Sequence, residues 1–258
     1  MSEAATLPLP TRRDEAWRYA DIDAVARFAA GRSSPGISEW QDLVVAAGET
    51  QRESFVIGSD EPAVRRIRVK LGEGARFELF ATNRGADYTR LELEVSLARG
   101  AHFEFGGVTI GGGDATREFV TTTVHAEPEA TSNQTIRSVH WGTGIGNFLG
   151  EIKVVRDAQK TDAAQDFKGL LLEAGASANA VPQLEIFADD VKCAHGATVG
   201  QLDEDARYYM AARGLSPVKA QRLLVQAFIG DAFVELDDEA AREELLEAAL
   251  SVLEGADL

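Results

Sequence analysis

The chain holds a single cysteine, Cys193, and two residues on stands His195, one of four histidines. Residues i and i+2 of a β-strand share a face, so an extended segment presents this sulfur and this imidazole side by side. Thiolate suits iron–sulfur centres, and imidazole is a borderline ligand that serves iron once its second nitrogen is oriented by a hydrogen bond. The pair could therefore hold a metal or pass a proton. Cys-x-His is a short pattern, however, and a lone cysteine equally serves as a small apolar filler whose burial raises its pKa and leaves it inert. On spacing alone both readings of Cys193 stay open.

Other candidate chemistry is weaker. Gly142-x-Gly144-x-Gly146 has the outline of a dinucleotide loop, but Phe148, Ile152, Val154 and Val155 follow it as a strand. A phosphate-binding loop needs a helix amino terminus there, so the glycines are expected to form a turn. Gly111-Gly112-Gly113 lacks the lysine of a P-loop and is also read as a turn. No G-x-S-x-G elbow occurs. His102 and His125 alternate with apolar neighbours and are expected on solvent-facing strand positions, and His140, beside Trp141, has no second ligand at a metal-binding spacing.

Composition narrows the function classes. The net charge of −16 disfavours a phosphate backbone or an anionic membrane surface as partner. One cysteine makes no internal disulfide, which fits a reducing compartment, and neither an export signal nor an apolar run of membrane-spanning length is seen. Cytoplasmic placement is the expectation.

Three regions must position the Cys193–His195 segment. In residues 1–43, Thr11 and Asp14 resemble a capping box, and Trp17, Ala20, Ala24 and Phe28 recur at helical spacing until a Gly/Ser/Pro connector at Gly31–Gly36. Residues 44–200 turn to period two, as in Ile67, Val69, Leu71 and Leu91, Leu93, Val95, Leu97. Leu71-Gly-Glu-Gly-Ala-Arg-Phe77 is echoed by Leu97-Ala-Arg-Gly-Ala-His-Phe103, and Leu172-Glu-Ala-Gly-Ala176 repeats its first part. Short strands and Gly-Ala turns recurring every twenty-odd residues predict stacked coils, a β-helix, with a sandwich as the competing architecture. Residues 201–258 are helical: Ser216-Pro217 opens one helix, and Leu245, Leu246, Ala249, Leu250 and Leu253 stripe another that starts near Asp238. This last region carries thirteen acidic and five basic residues, half of the net charge, read either as a solvated face or as a docking surface. Parity from Leu184 groups Cys193 and His195 with Phe187 and Val191 unless Asp189-Asp190 bends the chain, so spacing leaves their orientation open.

The runs Lys160–Leu172 and Pro182–Ser216, with Asp189-Asp-Val-Lys-Cys-Ala-His-Gly-Ala-Thr198 at their centre, and the start LPTRRDEAWRYADID from Leu7, resemble the SufD family of iron–sulfur cluster assembly proteins. The resemblance implies a mainly β chain, a right-handed parallel β-helix flanked by amino- and carboxy-terminal helical segments. It implies a non-enzymatic scaffold subunit that pairs with a SufB-like paralogue and docks a SufC-like ATPase through its carboxy-terminal helices. It places the motif's histidine, His195 here, at the SufB–SufD interface, with Cys193 beside it as a second candidate metal ligand. No cofactor is expected to be held stably by this chain alone, and a transient cluster would sit at the shared interface. The alternatives are a β-helix enzyme acting on glycans, for which Asp189-Asp190 is the only obvious acidic pair, a hydrolase using Cys193 and His195, and a homodimer pairing through the same free edge.

Overall fold

The computed structural model describes residues 9–30, 37, 39–58, 63–85 and 87–254; the Gly31–Gly36 connector lies outside them. Twelve strands follow in order: β1 (Gln41–Val45), β2 (Thr50–Ile57), β3 (Ala63–Leu71), β4 (Arg76–Asn83), β5 (Tyr88–Leu97), β6 (His102–Gly111), β7 (Thr116–His125), β8 (Thr131–His140), β9 (Ile145–Val154), β10 (Asp162–Leu171), β11 (Ser177–Ile186) and β12 (Lys192–Gln201). Odd strands form one six-stranded sheet and even strands a second, with every pairing parallel. One strand from each sheet makes a coil, and successive coils stack. The parallel β-helix is therefore the architecture; a sandwich would pair antiparallel neighbours.

The coil lengthens along the stack. Ile67 lies over Leu93, Leu93 over Thr121, Thr121 over Gly150 and Gly150 over Pro182, offsets of 26, 28, 29 and 32 residues. The Leu71 and Leu97 echoes are successive corners from the odd to the even sheet, with Gly74 and Gly100 both at φ 62. A left-handed residue closes each tight turn, which glycine does without a Cβ penalty. The third echo, Leu172–Ala176, sits at the opposite corner, between β10 and β11. Gly111–Gly113 and Gly142–Gly146 fall at that corner too, as strand ends and turns.

Side chains facing the lumen between the sheets form the core. The early coils fill it with Ile67, Val69, Phe77, Leu79, Leu91, Leu93 and Phe103, all buried. Phe77 stacks on Phe103 at 6.1 Å between centroids, and Phe148 on Phe167 at 5.8 Å. Later coils become polar: Thr121, Thr123, His125, Ser132, Gln134, Ser138, His140 and Gln165 are all buried.

Helices cover the outer faces. A 3-10 turn (Glu15–Trp17) and α1 (Ile22–Ala30) replace the single amino-terminal helix that the spacing predicts, because Asp21 starts a new helix by accepting from the Ala24 amide at 2.9 Å. Trp17, Ala20, Ala24 and Phe28 are nevertheless all buried. They cover a charge network on the odd sheet in which fully buried Arg90 donates to Glu92 (3.1 Å), Glu118 (3.2 Å) and the Ala16 carbonyl (2.8 Å), under the Trp17 ring. On the even sheet, Phe80, Val108, Ile110 and Val139 pack against α3 (Pro217–Gly230) and α4 (Glu239–Glu254). Arg137 ties this layer to the sheet through Asp166 and Asp231. Between β12 and α3 lies α2 (Glu204–Ala212), capped by Asp203 and without a buried residue.

His125 corrects the sequence expectation. It is fully buried in the lumen and Val124 points outward, because β7 carries threonines on both faces and its polar residues are turned inward. His140 is also buried, with Nδ1 3.0 Å from the Gly111 carbonyl, whereas His102 is outward-facing and part-exposed, bonding Thr131. Burial pushes His125 down to about 4; burial, helped by nearby Arg117, pushes His140 down to about 3. Both folded-state values lie below the ordinary ~6.5, so the neutral rings' contribution to stability is complete above that pH and is lost as pH falls towards the folded values. The unfolding free energy should fall below pH ~6 with a limiting slope of about 2.7 kcal/mol per pH unit for two protons. Urea denaturation from pH ~7 to ~5 measures this, and a flat profile would contradict neutral burial of the two rings.

Candidate functional site

Each strand inside the stack has a neighbour on both sides, but β11 and β12 have one each, β9 and β10. The corner joining them, Phe187–Val191, is where the expected bend falls, at Asp189-Asp190. It moves Cys193 and His195 to the even sheet while Leu184 stays on the odd one, so parity does not carry across. Register settles their orientation. Cys193 lies over Ala163 and Ser132, and His195 over Gln165 and Gln134. Gln134 donates across the lumen to Thr123 of the opposite sheet, so this column faces inward. Both sequence-predicted ligands thus point to the lumen side of the last coil, at its uncovered end. His195 is exposed there and Cys193 is part-buried.

Cys193 packs beside a small cluster of Ala158, Ala163 and Ala188. Burial and then the charge of Asp162 push its thiol pKa up. Such a thiol is mostly protonated at neutral pH and is a poor unassisted nucleophile, which weighs against a Cys/His hydrolase. Among the described residues no group of three or more His, Cys, Asp or Glu side chains is placed to hold a metal ion.

The edge itself was not singled out by motif. Strand edges are usually blunted by charge, shortness, proline or cover. The first end of the stack has such devices: β1 is five residues long, and Arg65, inward in register with Leu91, lies 3.8 Å over the Phe55 ring. The last end has few. β12 is ten residues long with Lys192 its only charged residue, and β11 is ten residues long with only Glu185. Ile186, Phe187 and Val199 are exposed around it. The face of β12 at Gly200 is open, since a Cβ there would meet nothing within 4 Å. Pro182 in β11 is a signal that sequence reading could have used, because proline inside a ladder is confined to edge strands.

The described residues thus form a parallel β-solenoid with helices over both outer faces and one bare end, where His195 lies on the lumen side. The chain belongs to the family described as SUF system FeS cluster assembly, SufBD core domain, which it matches over residues 50–228. It is similar to an iron–sulfur cluster assembly SufBD family protein of Synechocystis sp., 34% identical over 70% of this chain and 39% of that protein. It is also similar to SufD of Escherichia coli (36% identical; 47% of this chain, 29% of that protein) and to SufD of Bacillus subtilis (30%; 54% and 32%). These matches span well under half the length of each relative. No described helix is long and apolar enough to cross a membrane.

The raised thiol pKa leads to a direct expectation. Alkylation of Cys193 by iodoacetamide at pH ~7.5 should run several-fold slower than that of a free cysteine near its ordinary pKa of ~8.5, and accelerate as pH rises. Mass-spectrometric rates check it; fast, pH-independent modification would point to an activated thiolate.

Proposed function

We propose that this chain is a non-catalytic scaffold subunit of iron–sulfur cluster assembly, which joins its β11–β12 end to the corresponding end of a SufB-like paralogue. The observation that carries the reading is the long, nearly uncharged pair of edge strands with His195 at its lumen side. Strand addition to such an edge satisfies backbone groups on both partners and needs little side-chain chemistry. In this arrangement His195 supplies one nitrogen to a site whose remaining ligands come from the partner. That division accounts for a chain with a single cysteine taking part in cluster work, where a self-contained cluster would use four. The nascent cluster is cargo, handed on from the seam. Cys193, protonated and part-buried, is an auxiliary donor that a bound metal would have to deprotonate.

We assign the SufC-like ATPase to the carboxy-terminal helices. The region is strongly acidic, and α2 exposes Tyr208 and Tyr209 while Val218 and Leu223 of α3 are also exposed. Aromatic residues presented on a helix with nothing buried beneath it are the composition of an interface core. Because α3 and α4 pack on the even sheet and Arg137 couples the two layers, a movement imposed on the helices would reach the strands that carry the seam.

The test is anaerobic co-purification of this chain with the two partners, comparing His195→Ala with the parent. The substitution should leave complex formation unchanged and lower bound iron and sulfide several-fold. An undiminished cluster yield in an intact complex would overturn the role given to His195.

A further inference from the structure

Three polar oxygens inside the solenoid have no hydrogen-bond partner among the described residues: Thr121 Oγ1, Gln134 Oε1 and Gln165 Oε1. Their residues are 2%, 0% and 1% exposed. They come from strands distant in sequence, yet register gathers them in two adjacent coils: Gln134 lies beside Gln165, and Thr121 beside Gly150, whose carbonyl Gln165 contacts. The Gln165 amide cannot be turned round to relieve the problem. Its Nε2 donates to two backbone carbonyls, of Gly150 at 3.2 Å and Gln183 at 3.3 Å, and rotation would set an oxygen against both. Gln134 donates through Nε2 to Thr123 Oγ1 at 3.2 Å, which leaves its Oε1 as the free end of the amide.

A buried polar oxygen without a partner is costly, about 1–3 kcal/mol each, so two amide oxygens and a hydroxyl in one place call for an occupant. It must donate hydrogen bonds and be small. It must also be neutral: the three groups are uncharged, and an ion taken from water into such a site would lack compensating charge. We infer that this section of the lumen is a water-binding site, in which at least one ordered water molecule bridges Gln134, Gln165 and Thr121. The two coils lie directly beneath the last one, β11–β12, and the next residue in the glutamine column is His195. Water held there stands one coil from the imidazole that faces the seam, and among the described residues the apolar early coils present no such orphaned lumen oxygen. A Cβ at Gly150 would collide with Gln165 Oε1 and the Phe148 ring, so the glycine is what lets the Gln165 amide lie here.

The experiment is a high-resolution crystal structure of the full chain, paired with magnetic relaxation dispersion counting of long-lived internal waters in the parent and in Gln165→Met. The expected result is density for water within hydrogen-bonding distance of Gln165 Oε1 and Gln134 Oε1, and the loss of at least one long-lived water in the variant. If Gln165→Met does not fold, Gln134→Met serves the same comparison, and the parent density decides by itself. Amide oxygens paired with protein donors in a dry lumen, or anomalous scattering that identifies a potassium ion at the site, would overturn the inference.

Discussion

The parallel backbone ladder governs this molecule. Each strand of a coil hands its amides and carbonyls to the coils before and after it, and unpaired backbone groups away from water are costly. A stack obeying this rule is uniform along its length and has a difficulty only at its two ends. The first end is managed within the chain by a short strand, inward Arg65 and the Phe55 ring. The last presents ten residues of β11 and ten of β12 with almost no charge. That asymmetry is what the proposed joining of the β11–β12 end to a second chain rests on.

The lateral faces follow from a different requirement. Six-stranded sheets whose outward positions include Phe80, Val108, Ile110 and Val139 must bury them, and α3 and α4 do so. On the opposite sheet the covering layer is held by a charge network, with Arg90, Glu92, Glu118 and Asn147 meeting carbonyls and the Trp17 ring of the amino-terminal segment. Each of the three Arg90 side-chain nitrogens donates to an acceptor, and two carboxylates offset its charge, the condition under which a buried guanidinium is tolerated. Among the described residues neither cover pairs with β12 as a further strand, and that edge stays open.

How much of this could be read from the residues alone varies by position. Ile67, Val69, Leu71 and Leu91–Leu97 alternate strictly because the early lumen is apolar, and period two marks their faces correctly. In β7 and β8 the lumen turns polar, alternation of hydrophobicity disappears, and His125 is assigned to the wrong face. The Gly-Ala echoes reveal corners without telling the two corners apart, since a tight turn makes the same local demand at either. Cys193 and His195 are rightly paired on one face, but which face depends on the number of residues in the Phe187–Val191 corner, a quantity that hydrophobic pattern does not encode. The helix α2 escapes notice because it buries nothing, although Asp203 before Glu204 and Asp205 is a recognisable cap.

The measurement closest to the central claim is amide hydrogen exchange, read by mass spectrometry, on residues 177–186 and 192–201 of the isolated chain and of the same chain joined to a SufB-like partner. If the bare end is the seam, these two segments gain protection on association while the interior strands, already paired on both sides, change little. Association that leaves both segments exchanging as before, with protection appearing on the helical faces instead, would contradict the account.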